Sequence, residues 1–243
     1  MSSTRPFLTA RWVNLILAQY PVPDEWIAPY LPPGVEPDRW NGSAHVSLVP
    51  FQFLDTRVFG CRWPGFTNFP ELNLRTYVRH GDRRGVVFIR EYIPSRLVAW
   101  VARRTYNEPY LTARIAADCY VKGDRLTTNY SLTRAGQTHR LWAVGDAVAS
   151  LPTSDSPEHF FKERKWGFGR TRTGELLSYE VQHPVWPCHA VRDYGIELDW
   201  GQLYGEHWAA MNGREPDSVY LVSGSAVSVF PHGVTANARE AIR

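Results

Sequence analysis

The chain has 243 residues, of which 44% are hydrophobic, and its formal net charge is +3. This length suits one β-rich domain or two small ones, and without a basic block or a basic–aromatic stripe nucleic-acid binding is not expected. No apolar run approaches the roughly 20 residues of a membrane helix, and the N-terminus lacks a sustained apolar segment. We therefore expect a cytoplasmic protein that makes no contact with a membrane.

Cysteine and motif content excludes further classes of protein. The cysteines are odd in number and far apart, and we interpret them as free thiols in a reducing compartment: Cys61, Cys119 and Cys188. His183 and His189 have no third ligand at useful spacing, and nucleotide-binding loops are absent, so we expect no metal and no cofactor. Ser223-Gly-Ser225 does not match the nucleophile elbow of an α/β-hydrolase.

Short strands dominate the predicted elements. In chain order they cover residues 10–20, 43–53, 71–79, 86–92, 110–121, 126–134, 139–149, 176–182, 185–191 and 219–230. Short helices are predicted after Pro23, at 96–104 behind Ser95, at 156–166 with Ser156 as the N-cap and Pro157 at the first helical position, and at 204–211. Many strands with few, irregularly placed helices indicate a β-dominated α+β fold.

The chain shows no internal repeat and no linker long enough to separate domains. We expect a single domain over residues 1–232. From Gly233 the packing pattern stops, so residues 233–243 are predicted to form a flexible C-terminal tail.

The clearest pattern is the strict alternation between Glu71 and Arg79. One face carries Leu72, Leu74, Thr76 and Val78, and the other carries Glu71, Asn73, Arg75 and Tyr77. In an open antiparallel sheet such a polar face would simply contact water. In a small barrel one face must point inwards, where a polar set would line a ligand site. The pattern alone leaves both interpretations open.

Several segments, in this order, resemble the YqjF-like family of unknown function, a branch of the acetoacetate decarboxylase-like superfamily. The resemblance covers roughly residues 10–232 and rests on Tyr20-Pro-Val-Pro23, Leu31-Pro-Pro-Gly34, Val46–Phe53, Asp55-Thr-Arg57, Phe69–Val78, Arg84–Glu91, Ala102–Tyr110 and His183-Pro-Val-Trp186.

This resemblance implies a cone-like, mostly antiparallel β-barrel with an internal cavity. In the decarboxylases a lysine in that cavity forms a Schiff base and is activated by a second lysine. Here the corresponding step is Asn107-Glu108-Pro109, and the lysine pair falls on Tyr110 and Leu111, neither of which can form a Schiff base. The cavity glutamate of the family matches Glu71.

Lys162 and Lys165 do not replace the missing pair by spacing. Both lie in the predicted helix at 156–166, where we interpret them as part of a solvated face. We therefore expect chemistry without a Schiff-base lysine.

The candidate site follows from the strand face and the resemblance together. Glu71 is the candidate general acid/base, and Tyr110 a candidate hydrogen-bond donor to a substrate oxygen, with ordinary packing as its alternative. Candidate substrate-binding residues are Arg75, Asn73, Asn107, Glu108 and His45. Arg75 would hold a carboxylate, because a guanidinium matches that group with two hydrogen bonds.

Two main kinds of function remain open, and a mainly structural or interaction role, suggested by the 14% aromatic content, is a third. The first is an enzyme acting on a small anionic or carbonyl-containing molecule in the barrel. The second is a non-catalytic sensor or carrier module on the same fold. The expected partner is a small-molecule ligand, and a homodimer is left open. Fold alone does not decide between the two functions.

Overall fold

A computed structural model describes residues 5–95 and 109–235. The predicted helix at 96–104 lies outside these residues. The strands are β1 (Leu8–Val22), β2 (Glu36–Pro37), β3 (Ala44–Val58), β4 (Phe69–His80), β5 (Arg83–Ile93), β6 (Tyr110–Thr112), β7 (Arg114–Lys122), β8 (Arg125–Arg134), β9 (Gln137–Ser150), β10 (Trp166–Arg170), β11 (Leu176–Gln182), β12 (Cys188–Glu197) and β13 (Ser218–Thr235). The helices are α1 (Asp24–Ile27), α2 (Pro157–Lys162) and α3 (Trp200–Tyr204), and the 3₁₀ turns are Ala28–Tyr30 and Glu206–Met211.

Seven strands close into a ring. The pairs run β1–β3–β4–β5–β10–β11–β13, and β13 pairs back with β1 over eleven residues on each strand, from Leu8↔Val229 to Gln19↔Ser218. All pairs in the ring are antiparallel except β5–β10. Closure gives each of these strands a hydrogen-bonded partner on both sides, so the ring has no free edge.

The interior of this ring is one apolar cluster. Six of the seven strands of the ring, all except β10, contribute side chains to this cluster, among them Leu17, Phe51, Tyr77, Val181 and Val222. The short helix α2 adds Phe160 and Phe161 to the same cluster. We call the side of the strands that carries this cluster the inner face of the barrel, and α2 packs against it.

A second layer covers one side of the ring. The sheet continues from β13 through β12, β9 and β8 to β7. A separate apolar cluster lies between this arm and the outer face of β3, β4 and β5, and it includes Leu48, Leu74 and Tyr92 together with Trp200 and Trp208 from α3 and the turn after it. The strands β3, β4 and β5 are therefore buried on both faces.

The β-dominated α+β prediction is confirmed, and so is the hairpin of β4 and β5. Several predicted boundaries were wrong, including that of the strand at 185–191, which begins at Cys188. The predicted helix at 156–166 ends at Lys162, and Trp166 already belongs to β10, which the sequence analysis missed. The helix at 204–211 is broken at Gly205, which has φ +106°. The predicted tail was placed too early, since residues 233–235 extend β13 and pair with β11.

No helix in residues 5–95 and 109–235 is long and apolar enough to cross a membrane.

The parallel contact between β5 and β10 has only two residue pairs, Trp166↔Gly85 and Gly167↔Val86. A Cβ at Gly85 would lie 2.3 Å from the Trp166 carbonyl oxygen, so alanine cannot fit without separating the strands. We expect Gly85→Ala to lower the free energy of unfolding by about 3 kcal/mol, the upper range for overpacking. Chemical denaturation measures this loss.

The control is Gly123→Ala, in the turn between β7 and β8. Gly123 has φ +62° but nothing within 4 Å of its added Cβ, so this change carries backbone strain alone, about 1 kcal/mol. Equal losses for the two variants would show that closure at Gly85 does not depend on the close approach.

Candidate functional site

The polar face of β4 points into the barrel. Glu71, Asn73 and Tyr77 are at most 2% exposed, and Tyr77 belongs to the inner cluster. Leu72 and Leu74 on the opposite face belong to the outer cluster. The solvent-facing interpretation of this strand is therefore wrong, because both of its faces are buried.

Glu71 is a buried carboxyl group with few hydrogen bonds. Asn73 Nδ2 donates to its Oε1 at 3.2 Å, and the side chain of Tyr110 also bonds to it. Burial raises the pKa of Glu71 from 4.5 to about 8, and these bonds and the charge of Arg75 oppose the rise only in part. Because burial disfavours the charged form, Glu71 carries its proton at neutral pH and can donate it.

Strand pairing places other polar residues beside Glu71. Asn73 lies opposite Glu91 on β5, and Glu91 lies opposite Tyr110 on β6. Residues directly opposite in a sheet share a face, so these side chains form one row across the barrel wall. Glu91 is 2% exposed.

Glu91 was not predicted as a site residue, because strict alternation along β5 hides it. Val86 on β5 points inwards, and strict alternation would turn Glu91 outwards. Leu74 pairs with Arg90, but the next residue, Arg75, pairs with Phe88. The register therefore shifts by one residue, which marks a β-bulge in β5. This extra residue reverses the alternation and brings Glu91 to the inner face.

Arg75 is a partly buried cation with unmet donors. Its Nη2 makes one long hydrogen bond to the Phe161 carbonyl at 3.4 Å, and its guanidinium lies 5.7 Å from the Tyr77 ring centroid. Within the described parts of the chain, Nε has no hydrogen-bond partner and no carboxylate lies within 4 Å of the group. The charge therefore has no ionic partner there.

Unpartnered polar atoms cluster around Arg75. Counting only partners from residues 5–95 and 109–235, the buried atoms without a hydrogen bond on this face include Gln19 Nε2, Ser47 Oγ, Glu71 Oε2, Asn73 Oδ1 and Arg75 Nε. Gln19 pairs with Ser47, and Ser47 with Arg75, so three of them form a second row beside the first. Buried polar groups are normally satisfied, so this cluster requires ordered water or a bound polar molecule.

Lys162 is buried, contrary to the predicted solvated face. Its side chain is 0% exposed and forms an ion pair with Glu163. Glu163 also accepts a hydrogen bond from the Trp186 backbone N–H at 3.2 Å. The missed burial has a local cause: α2 ends at Lys162 where it plugs the barrel, so three consecutive residues, Phe160 to Lys162, are all buried. Lys165, beyond the helix, is exposed.

His45 lies away from Glu71. Its side chain points towards the inner face. On β3, however, it lies six residues from Phe51, the residue that pairs with Glu71. Six residues of a strand span about 20 Å. Its Nδ1 bonds to the Ser43 carbonyl at 3.0 Å, and its Nε2 lies 3.7 Å from Asp217. Burial lowers the pKa of His45. These contacts suit a structural histidine at the barrel end.

Asn107 and Glu108, the remaining predicted binding residues, lie outside the described residues. Within the described ranges, no group of three or more His, Cys, Asp or Glu side chains could hold a metal ion. One surface cleft, of about 460 Å³, lies around Phe7 and Phe59. Another, of about 320 Å³, lies around His139 and Asp199. Neither is lined by Glu71, Asn73, Arg75 or Tyr110.

Comparison with known proteins identifies the family. The family model DUF2071, described as uncharacterized conserved protein, matches residues 9–226. The chain belongs to this family. One curated member, the uncharacterized protein YqjF of Bacillus subtilis strain 168, is 28% identical over 182 residues, which is 72% of each chain.

Solved structures show what fold this DUF2071 member has. An acetoacetate decarboxylase-like enzyme from Sphingomonas wittichii RW1 superposes with a TM-score of 0.65 at 15% identity, covering 96% of this chain and 93% of the other. The acetoacetate decarboxylase from Legionella pneumophila gives 0.62 at 13% identity, with 97% and 89% covered. The enduracididine biosynthesis enzyme MppR gives 0.62 at 15% identity, with 96% and 90% covered. The expected acetoacetate decarboxylase-like fold is confirmed.

The protonated state of Glu71 predicts how stability depends on pH. Its pKa is higher in the folded than in the unfolded chain, so the folded state keeps a proton that the unfolded state has lost between pH 4.5 and 8. The contribution of Glu71 to the free energy of unfolding is therefore fully present below pH 4.5. As pH rises to 8 this contribution is lost, by up to about 1.4 kcal/mol per pH unit. Between pH 5 and 8, the melting temperature of the wild type should fall relative to that of Glu71→Gln.

The matched control is Glu25→Gln, an exposed position in the first turn of α1. Its melting temperature should follow that of the wild type at every pH. A difference between wild type and Glu71→Gln that stays constant with pH would mean that Glu71 is already ionised in the folded protein.

Lys162 gives a second prediction about the interior. Removing one partner of a buried ion pair leaves the other charge uncompensated, so Lys162→Ala should cost about 3 kcal/mol of unfolding free energy. Lys165→Ala, at an exposed position three residues later, should change it by less than about 0.5 kcal/mol. Similar effects of the two changes, measured by denaturant titration, would contradict the burial of Lys162.

Proposed function

We propose that the inner face of the barrel binds a small carboxylate that also carries a carbonyl group, and that Glu71 transfers a proton to or from this molecule. The observation that carries the proposal is the combination of a protonated buried acid with a cation that has no ionic partner in residues 5–95 and 109–235. Glu71 and Arg75 lie on the same face of one strand.

Arg75 supplies the anchor for the carboxylate. A guanidinium offers five donors in a planar fork, and charge-assisted bonds to a carboxylate are stronger than neutral ones. Nε is free of protein partners among the described residues, and Nη2 is held only by a 3.4 Å bond, so both can turn to a ligand. Burial strengthens such a contact because the local dielectric is low.

Glu71 supplies the proton. Its pKa of about 8 lies close to physiological pH, where a group can serve as either acid or base. Four residues separate it from Arg75, about 13 Å along the strand between Cα atoms, and the long arginine side chain shortens the gap. A molecule of a few carbon atoms spans such a site, with its carboxylate on Arg75 and its carbonyl oxygen near Glu71 and Tyr110.

The solved relatives support this class of ligand. MppR has been seen with pyruvate and with a condensation product of pyruvate, and other relatives are acetoacetate decarboxylases. Both names refer to small oxo acids. In this chain Tyr110 and Leu111 occupy the positions where the family resemblance implies a lysine pair. Lys162 is engaged by Glu163 in an ion pair. We therefore propose proton transfer without a covalent imine.

Binding of pyruvate and acetoacetate tests the anchor. Arg75→Met should weaken the affinity for either acid, measured by calorimetry, by about 10- to 100-fold, the value of one or two charge-assisted hydrogen bonds. Arg79→Met changes an exposed arginine that pairs with Glu36 further along β4 and should leave the affinity unchanged. Equal affinities of wild type and Arg75→Met would contradict the anchor.

Product analysis by nuclear magnetic resonance tests the chemistry. Glu71→Gln should abolish turnover while keeping affinity within a few-fold, and tight binding without product in the wild type would favour the non-catalytic carrier. Borohydride treatment with either acid should give no adduct. An adduct that disappears in Lys162→Met would replace our mechanism by an imine on Lys162.

A further inference from the structure

A serine and a histidine form a close pair on the outer side of β13. His189 Nε2 lies 2.8 Å from Ser223 Oγ, and His189 Nδ1 lies 2.8 Å from the Asp146 backbone carbonyl oxygen. Both side chains are partly exposed. A hydroxyl bonded to an imidazole that a third group holds in place is the arrangement of an activated nucleophile.

The carbonyl determines the role of each imidazole nitrogen. A carbonyl oxygen only accepts hydrogen bonds, so Nδ1 must carry the proton. In the neutral ring Nε2 then has a free lone pair and accepts from Ser223, whose hydroxyl hydrogen points at it. This is the tautomer in which His189 acts as a base towards Ser223.

Ser223 lies on the outer side of β13, just before the alternation of the strand reverses. Val222 and Val227 both belong to the inner cluster although five residues apart, so the alternation reverses between them. Gly224 sits at the reversal with φ +76°, and a Cβ there would lie 1.9 Å from the Trp12 carbonyl oxygen. Ser223 therefore faces outwards with Leu221, the partner of His189, while Ser225 turns to Trp186 Nε1 at 2.7 Å.

The carbonyl that orients His189 is itself fixed. Asp146 is held by two hydrogen bonds from Arg192, at 2.9 and 2.5 Å, and by an ion pair with Arg125. The pair thus combines a fixed base with a partly exposed hydroxyl.

We propose that Ser223 and His189 form a second reactive site, which accepts acyl groups from small activated esters. Ser223 Oγ attacks the ester carbonyl and gives its proton to His189 Nε2. The ester C–O bond breaks, and the leaving oxygen takes that proton. Water, deprotonated by the same nitrogen, then releases the acid and restores the serine.

This site is separate from the barrel interior. Val222 points inwards and Leu221 outwards, and the pair lies on the side of Leu221. A purely structural alternative is that the hydrogen bond extends the short β12–β13 contact, which has only two residue pairs. That alternative predicts a loss of stability in variants but no acyl transfer by the wild type.

The experiment uses p-nitrophenyl acetate and the full-length protein. The wild type should release p-nitrophenolate and gain the mass of one acetyl group, mapped to Ser223 by peptide fragmentation. Ser223→Ala should abolish both, and His189→Gln should slow the reaction about 100-fold or more, the contribution of a positioned base. Ser225→Ala is the matched control and should react as the wild type does.

Glu71→Gln should also acylate at the wild-type rate, which distinguishes this site from the proposed barrel chemistry. Melting temperatures of all variants show whether they are folded; if Ser223→Ala is unstable, His189→Gln carries the test. No acetyl group on the wild type, an acetyl group on another residue, or an unchanged rate in His189→Gln would overturn the proposal.

Discussion

The closing of seven strands into a ring is the constraint on which the rest of this molecule depends. The long pairing of β1 with β13 completes the ring on one side, and two residue pairs between β5 and β10 complete it on the other. At that second contact the chain uses Gly85, because any side chain would collide with the neighbouring backbone. Closure turns one face of every strand in the ring inwards, away from water.

Once the face is enclosed, its polar residues acquire properties that they would lack on an open sheet. A carboxyl group in contact with water would be ionised at neutral pH, whereas burial keeps Glu71 protonated. Arg75 cannot lose its proton, so it stays charged in the same surroundings. The barrel thereby holds a protonated acid and a cation on one face of β4, four positions apart. In a low dielectric such a cation is costly without an anion, which is why an anionic ligand is the partner we propose.

Much of this fold could be predicted from the sequence, because the period of two in strands such as β4 depends only on local backbone geometry. The alternation of β4 correctly separated Glu71 and Asn73 from Leu72 and Leu74. It could not say that both faces are buried, since that depends on ring closure between distant segments. The bulge in β5 hid Glu91 for a different reason: one extra residue reverses the alternation without any mark in composition. Lys162 was misjudged because helix periodicity assumes one buried side, and the end of a helix that plugs a barrel is buried all round.

Strand β6 carries the residues at which the family resemblance and the strand pairing can be compared directly. The resemblance implies a lysine pair at Tyr110 and Leu111, and strand pairing puts Tyr110 next to Glu91 in the row that begins at Asn73. Replacing an amine by a phenol in this row removes a nucleophile but keeps a hydrogen-bond donor. With the amine gone, the cations at the inner face within residues 5–95 and 109–235 include Arg75 and Lys162, and Lys162 is already balanced by Glu163. The charge of Arg75 and the donors of Glu71 and Tyr110 are therefore the groups that we propose to recognise an oxo acid, without a lysine that would bind it covalently.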